Sequence, residues 1–227
     1  MVSQSHTTTF LILFITTFLF ISRSISAVRL PPLPNTTVTN ELDFIRTSCN
    51  ATLYPDVCFT SLAGYASAVQ DSPARLAKLA IGVSLSQAKS TAAYLSKLSR
   101  SAAVVSAAKY SGDGHHTASA VIRDCVSNVE DAVDEMRGSL RQLRDMNRRG
   151  GVPAAQRSVE TFRFQMSNVQ TWMSAALTDE DTCTDGFEDM DEGGLIKTTV
   201  CDRLEEVKRL TSNALALVNT YANNGAP

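Results

Sequence analysis

Residues 116–147 read HTASAVIRDCVSNVEDAVDEMRGSLRQLRDMN, and this stretch decides the fold class. Its apolar residues recur at steps of three and four, which is the period of one face of an α-helix, sustained over about seven turns. They are Ala118, Ile122, Cys125, Val129, Val133, Met136, Leu140 and Leu143. No proline interrupts the stretch. The pattern predicts a long amphipathic helix that buries one stripe against other helices.

The flanking segments predict three more long helices. One begins at Pro73, behind the N-cap residue type Ser72, and runs to about residue 110. Others cover about residues 154–177 and 195–221, with turns predicted at residues 111–114, at 150–153 and in the acidic run 178–186. Four amphipathic helices joined by short loops pack up-down-up-down. The sequence therefore predicts an all-α fold, a four-helix bundle over residues 72–222.

Shorter pieces precede this bundle. Residues 28–39 contain Pro31, Pro32 and Pro34 and are interpreted as an extended arm. Two short helices around a turn at residues 54–56 predict a helical hairpin over residues 40–66, so that the folded domain covers 40–222. The polar residues 223–227 are expected to fray.

Residues 1–27 are typical of a secretory signal peptide. The apolar run FLILFITTFLFI at 10–21 is shorter than the ~20 residues of a membrane span and is followed by small residues ending at Ala27. The segment before the run has no Lys or Arg, so a retained signal anchor is the alternative. No second long apolar segment follows. We expect a secreted, extracellular protein without a membrane anchor after cleavage.

Cysteines and glycosylation sequons fit an oxidising compartment. The five cysteines form no C-x-x-C pair, and Cys49 and Cys58 are close enough to close a ten-residue loop. A bridge from Cys125 to Cys183 is one further possibility, and spacing alone leaves open which cysteine stays free. Sequons at Asn35 and Asn50 are candidate glycosylation sites.

Composition excludes several classes of protein. A net charge of −2 with 44% hydrophobic residues excludes a disordered chain and argues against nucleic-acid binding. No nucleophile elbow, P-loop or H-E-x-x-H motif is present, and His115 and His116 are the only histidines after the signal. The acidic run that begins at Asp179 lacks EF-hand spacing and is interpreted as a solvated link or a patch for a basic partner. We expect no enzyme activity, metal or cofactor.

A stripe of arginines occupies one face near the end of the second long helix. Its members are Arg137, Arg141, Arg144 and Arg148, spaced by four, three and four residues. Such a stripe is either a solvated face or a contact for an anionic wall polysaccharide.

Five motifs, in order, resemble the plant family of pectin methylesterase and invertase inhibitors. They are TLYPDVC at 52–58, DC at 124–125, WMSAALT at 172–178, TCTDGF at 182–187 and SNALAL at 212–217. The resemblance spans about residues 42–218. It implies a four-helix bundle behind a helical hairpin, bridges Cys49–Cys58 and Cys125–Cys183, and a free thiol at Cys201.

The resemblance also implies a function. It indicates a secreted inhibitor, in the apoplast or cell wall, that binds pectin methylesterase one-to-one and sterically blocks its pectin-binding cleft. The family positions that face the enzyme correspond to Asp131, Asp134, Thr182 and Asp185. WMSAALT, and the lack of the Pro-Lys-Phe tripeptide of some invertase inhibitors, favour the methylesterase branch. The alternatives are inhibition of acid invertase and a non-inhibitory protein that binds pectin.

Overall fold

The computed structural model describes residues 36–108, 118–148, 159–188 and 194–225. All regular elements in these ranges are helical. They are α1 (Thr36–Cys49), α2 (Pro55–Leu62), a 3-10 turn (Ala63–Tyr65), α3 (Ala66–Val69), α4 (Pro73–Ala108), α5 (Ala118–Arg148), α6 (Val159–Glu188) and α7 (Gly194–Asn224).

The four long helices form a ring in which α4 contacts α5, α5 contacts α6, α6 contacts α7 and α7 contacts α4. Their apolar stripes meet inside the ring, as the three- and four-residue spacing requires. Ile81, Met136, Met173 and Val207, one from each long helix, are fully buried there. The prediction of an all-α four-helix bundle behind a disulfide-tied hairpin is confirmed.

The hairpin is tied to itself and to the bundle. The Cys49–Cys58 disulfide joins α1 to α2, with 5.5 Å between the two Cα atoms. The side-chain amide of Asn213 on α7 pairs with the main chain of Tyr54: its Oδ1 accepts from the Tyr54 N–H at 3.1 Å, and its Nδ2 donates to the Tyr54 carbonyl at 2.9 Å. The guanidinium of Arg46 lies 3.8 Å from the centre of the Phe59 ring. The Asn213 hydrogen bonds hold the hairpin against α7.

The third long helix is longer than predicted. The acidic run at residues 178–186, interpreted as a link between helices, is part of α6, which ends at Glu188. The reason is that the buried stripe of this helix continues through the run, at Glu180, Cys183 and Phe187. Cys183 is also bonded to Cys125 of α5, which holds this part of α6 against the bundle.

The other boundaries differ by a few residues. Helix α1 begins at Thr36, inside the predicted arm 28–39 and two residues after Pro34. Helix α3 extends past the predicted hairpin end to Val69, and α7 ends at Asn224 within the predicted tail. The signal segment 1–27, the sequon residue Asn35, and His115 and His116 lie outside the described residues.

Within the described ranges, no helix combines the length and the apolar character that crossing a membrane requires.

Candidate functional site

An open groove runs along the surface between α5 and α6. It has a volume of about 710 Å³, and its lining includes Gly138 of α5 and Trp172 of α6. A β-carbon at Gly138 would lie 3.4 Å from Cε3 of Trp172, so the missing side chain lets the indole lie close against α5. We call this feature the acidic groove because carboxylates dominate its lining. Its charged residues are Asp131, Asp134, Glu135, Asp145 and Asp179, with Arg141 as the cation.

Two carboxyl groups in the acidic groove have raised pKa values. Glu135 of α5 and Asp179 of α6 lie close enough for each to affect the pKa of the other. Burial, followed by the charge of Asp179, raises the pKa of Glu135 to about 7. Burial also raises the pKa of Asp179, with a smaller contribution from the charge of Asp131. Oε2 of Glu135 is shielded from solvent without a hydrogen-bond partner, which favours a protonated carboxyl.

The structure brings two of the four predicted enzyme-facing residues into this groove. Asp131 and Asp134 both line it and are exposed. The Asp134 carboxylate makes an ion pair with Arg137 at 2.5 Å, one turn along α5. Because both partners are exposed, this pair adds little to stability and leaves Asp134 free to exchange partners.

The other two predicted residues lie on α6 outside the lining of the acidic groove. Thr182 is exposed, and its hydroxyl donates to the Thr178 carbonyl at 2.8 Å. Asp185 is exposed and lies towards α7, where its charge contributes to raising the pKa of Lys208. The groove lining therefore contains Asp131 and Asp134 but not Thr182 or Asp185.

The arginine stripe is also divided between two surfaces. Arg137 and Arg141 belong to the acidic-groove side of α5, through the Asp134 ion pair and the groove lining respectively. Arg144 lines a different groove, between α4 and α5. Arg148 is the last residue of α5, and its side chain lies outside what the structure describes.

Sequence reasoning missed the residues that give the acidic groove its character. Glu135 is one helical turn beyond Asp131, a spacing that places both on one face of α5. The sequence pattern places Asp179 only in an acidic link and Trp172 only in the motif at 172–178. Their shared surface depends on the register between α5 and α6, which the Cys125–Cys183 disulfide fixes.

The other residues singled out by the sequence are a glycosylation sequon and the five cysteines. Asn50 of the second sequon is exposed in the turn after α1. Both predicted disulfides are present, and Cys201 is half-buried and outside any disulfide. The described part of the chain contains no cluster of His, Cys, Asp and Glu residues with the geometry of a metal site. The arrangement suits recognition of a macromolecular surface, with charge on a rigid helical frame.

Comparison with known proteins defines the class. Residues 43–217 match the family model described as plant invertase/pectin methylesterase inhibitor. The chain belongs to this family of inhibitor proteins, which are not enzymes.

Particular relatives agree with this. Pectinesterase inhibitor 11 of Arabidopsis thaliana is 35% identical over 212 residues, 92% of this chain and 96% of that protein. A 21 kDa protein of Daucus carota is 40% identical over 179 residues, 79% of this chain and 83% of that one. A crystal structure of a mutant pectin methylesterase inhibitor from Arabidopsis superposes with a TM-score of 0.53 at 20% identity, covering 79% of this chain and 95% of that chain. The last likeness concerns the fold.

Proposed function

We propose that this protein is a secreted inhibitor of plant pectin methylesterase. It binds the enzyme one-to-one and blocks the cleft that holds pectin, so that it limits pectin de-esterification in the cell wall. The observation that carries the proposal is the extent of likeness to a pectinesterase inhibitor, which covers almost the full length of both chains. The sequence of the first 27 residues supports the secretory part of the proposal.

The acidic groove supplies the docking surface in this proposal. Asp131 and Asp134 are exposed on α5, one turn apart, beside the Glu135–Asp179 pair. Both helices are anchored by a buried core and by the Cys125–Cys183 disulfide. A surface built on fixed helices loses little conformational entropy when it docks. Thr182 and Asp185 extend the contact along α6 in this proposal.

Acid invertase is the second candidate target, because the family description includes invertase inhibitors. The two enzymes are distinguished by titrating residues 28–227, with oxidised disulfides, against pectin methylesterase and acid invertase in parallel across about pH 5 to 7.5. We expect loss of methylesterase activity alone, at one inhibitor per enzyme. Loss of invertase activity alone would move the protein to the second target, and inhibition of neither enzyme would contradict both.

The docking surface is tested with a charge-matched pair of variants. Asp131→Asn/Asp134→Asn removes two carboxylates from the acidic groove, and Asp43→Asn/Asp71→Asn removes two exposed carboxylates near the hairpin. We expect the first variant to weaken inhibition about tenfold or more and the second to leave it within about twofold. Equal inhibition by both variants would place the docking surface elsewhere.

A further inference from the structure

A second groove lies on the other flank of α5, against α4. It has a volume of about 330 Å³ and receives Arg75 and Lys78 from α4 and Arg144 from α5. The residues that line it within the described ranges include no carboxylate. We call it the basic groove. Helix α5 therefore separates two surfaces of opposite charge.

The three cations come from two neighbouring helices. Arg75 lies in the first turn of α4 and is exposed, and one of its guanidinium nitrogens donates to the side-chain oxygen of Gln70. Lys78 is half-buried, one turn further along α4. Arg144 is exposed on α5 and sits one turn beyond the buried Leu140. Cations that converge on one concave surface concentrate positive potential there.

The floor of the basic groove is apolar and recessed. Leu79 and Leu140 supply its aliphatic surface. Gly82 also belongs to the lining, and nothing lies within 4 Å of the position that its β-carbon would occupy. A glycine in the interior of a long helix costs about 1 kcal/mol relative to alanine, and here its missing side chain opens the floor. A cationic rim over an apolar floor suits a sugar ring that carries a carboxylate.

We propose that the basic groove binds a short run of de-esterified galacturonan, a linear polysaccharide with regularly placed carboxylates. The carboxylates pair with Arg75, Lys78 and Arg144, and the C–H faces of the sugar rings pack on Leu79 and Leu140. The choice of this polymer rests on the proposed function, since methylesterase action exposes these carboxylates. Because the acidic groove is on the other flank of α5, polymer and enzyme bind at the same time. The inhibitor is thereby retained where de-esterified pectin accumulates.

Binding is measured without any enzyme, by calorimetry with polygalacturonate at low and high salt. One triple variant removes the three cations of the basic groove: Arg75→Gln/Lys78→Gln/Arg144→Gln. A control variant removes three exposed cations elsewhere on the protein: Lys97→Gln/Arg100→Gln/Arg163→Gln. We expect the first to weaken binding about tenfold or more and the second to change it less than about twofold. Highly methyl-esterified pectin, with few carboxylates, should bind weakly, and salt should release polygalacturonate.

A neutral variant separates loss of the groove from loss of charge. Gly82→Gln fills the recess without changing net charge, and we expect it to weaken polygalacturonate binding as well. The proposal would be overturned if polygalacturonate and highly methyl-esterified pectin bound equally well. It would also be overturned if the two charge variants lost polygalacturonate binding to the same extent. Loss of methylesterase inhibition without loss of polymer binding in the rim variant would assign the groove to an acidic protein surface instead. Polymer binding in a protein that inhibits no enzyme would leave this site standing while the proposed function fails.

Discussion

Thr211 of α7 and Glu180 of α6 form a hydrogen bond of 2.9 Å between Oγ1 and Oε1 in the interior of the bundle. Oγ1 of Thr211 also lies 2.7 Å from the hydroxyl oxygen of Ser84 on α4, so three helices meet at one buried polar cluster. Glu180 is fully buried, and its Oε2 has no hydrogen-bond partner. Burial is the main reason that the pKa of Glu180 rises to about 8.

This cluster makes stability depend on pH. The pKa of Glu180 is about 8 in the folded protein against 4.5 for an ordinary Glu, so the folded state holds the proton while the unfolded state releases it. The contribution of Glu180 to the free energy of unfolding is fully present below pH 4.5 and is lost as the pH rises towards 8. We expect Glu180→Gln, which stays neutral, to gain about 5 kcal/mol relative to the wild type between these limits. Urea unfolding from pH 4.5 to 8.5 measures the difference, and parallel curves for the two proteins would contradict it.

Glu135 in the acidic groove is expected to titrate near neutrality. The pKa of Glu135 is about 7, from burial first and the Asp179 charge second. Asp179→Asn removes the charge and keeps the burial, so the Glu135 midpoint should fall but stay above 4.5. Carbon-13 NMR of the Glu135 side chain measures both midpoints. A wild-type midpoint near 4.5 would show that the groove is better solvated than the structure indicates.

The two disulfides should differ in their contribution to stability. Cys125 and Cys183 are 58 residues apart and Cys49 and Cys58 are 9 apart. The longer loop constrains the unfolded chain more, by about 4 kcal/mol against about 2.5–3 kcal/mol in the chain-entropy model. Double alanine variants of each pair, compared by chemical unfolding, test this order. Cys201→Ala, which breaks no disulfide, is the control and should change stability by less than either double variant.

The contact between Gly138 and Trp172 is open to a fluorescence test. Trp172 is the only tryptophan of the chain. The β-carbon of a leucine at Gly138 would already contact the ring at 3.4 Å, so the rest of the side chain needs space that the indole occupies. Gly138→Leu should therefore push Trp172 into water, shift its emission to the red and weaken methylesterase inhibition.

The matched change is Gly82→Leu, at a glycine of α4 with nothing within 4 Å of its missing β-carbon. Both variants replace glycine by leucine inside a long helix, so they change helix propensity equally. A difference between them is therefore due to the contact with the Trp172 indole. We expect unchanged emission and unchanged inhibition from Gly82→Leu. A red shift in both variants, or in neither, would argue against the close contact with Trp172.

The prediction of the bundle succeeded because one physical signal, apolar spacing of three and four, runs along each long helix. It failed at residues 178–186, although the same spacing continues from Met173 and Ala176 to Glu180 and Cys183. The obstacle was chemical: a glutamate is almost never fully buried without a partner, so its place in the stripe was not recognised. Its partner Thr211 is 31 residues away, and sequence spacing does not reveal that contact.

The sequence predicts which residues of the candidate site lie together on one helix, but not which residues meet between helices. Asp131 and Asp134 lie on one helix, and their proximity follows from helical geometry alone. The pairing of Glu135 with Asp179, and the separation of Asp185 from both, depend on how α6 is rotated against α5 and α7. That rotation is set by packing and by the Cys125–Cys183 disulfide, which the spacing of the cysteines left undetermined.

The amide of Asn213 pairs with main-chain atoms of Tyr54, and no side-chain atom of Tyr54 takes part in these two hydrogen bonds. These two hydrogen bonds therefore depend on the length of the chain between Cys49 and Tyr54, and the side chain of Tyr54 does not enter them. We therefore expect that the hairpin can be replaced by the hairpin of a related protein. A chimera that carries a relative's hairpin should fold on this bundle when the loop keeps its length, whereas a single inserted residue in that loop should detach it.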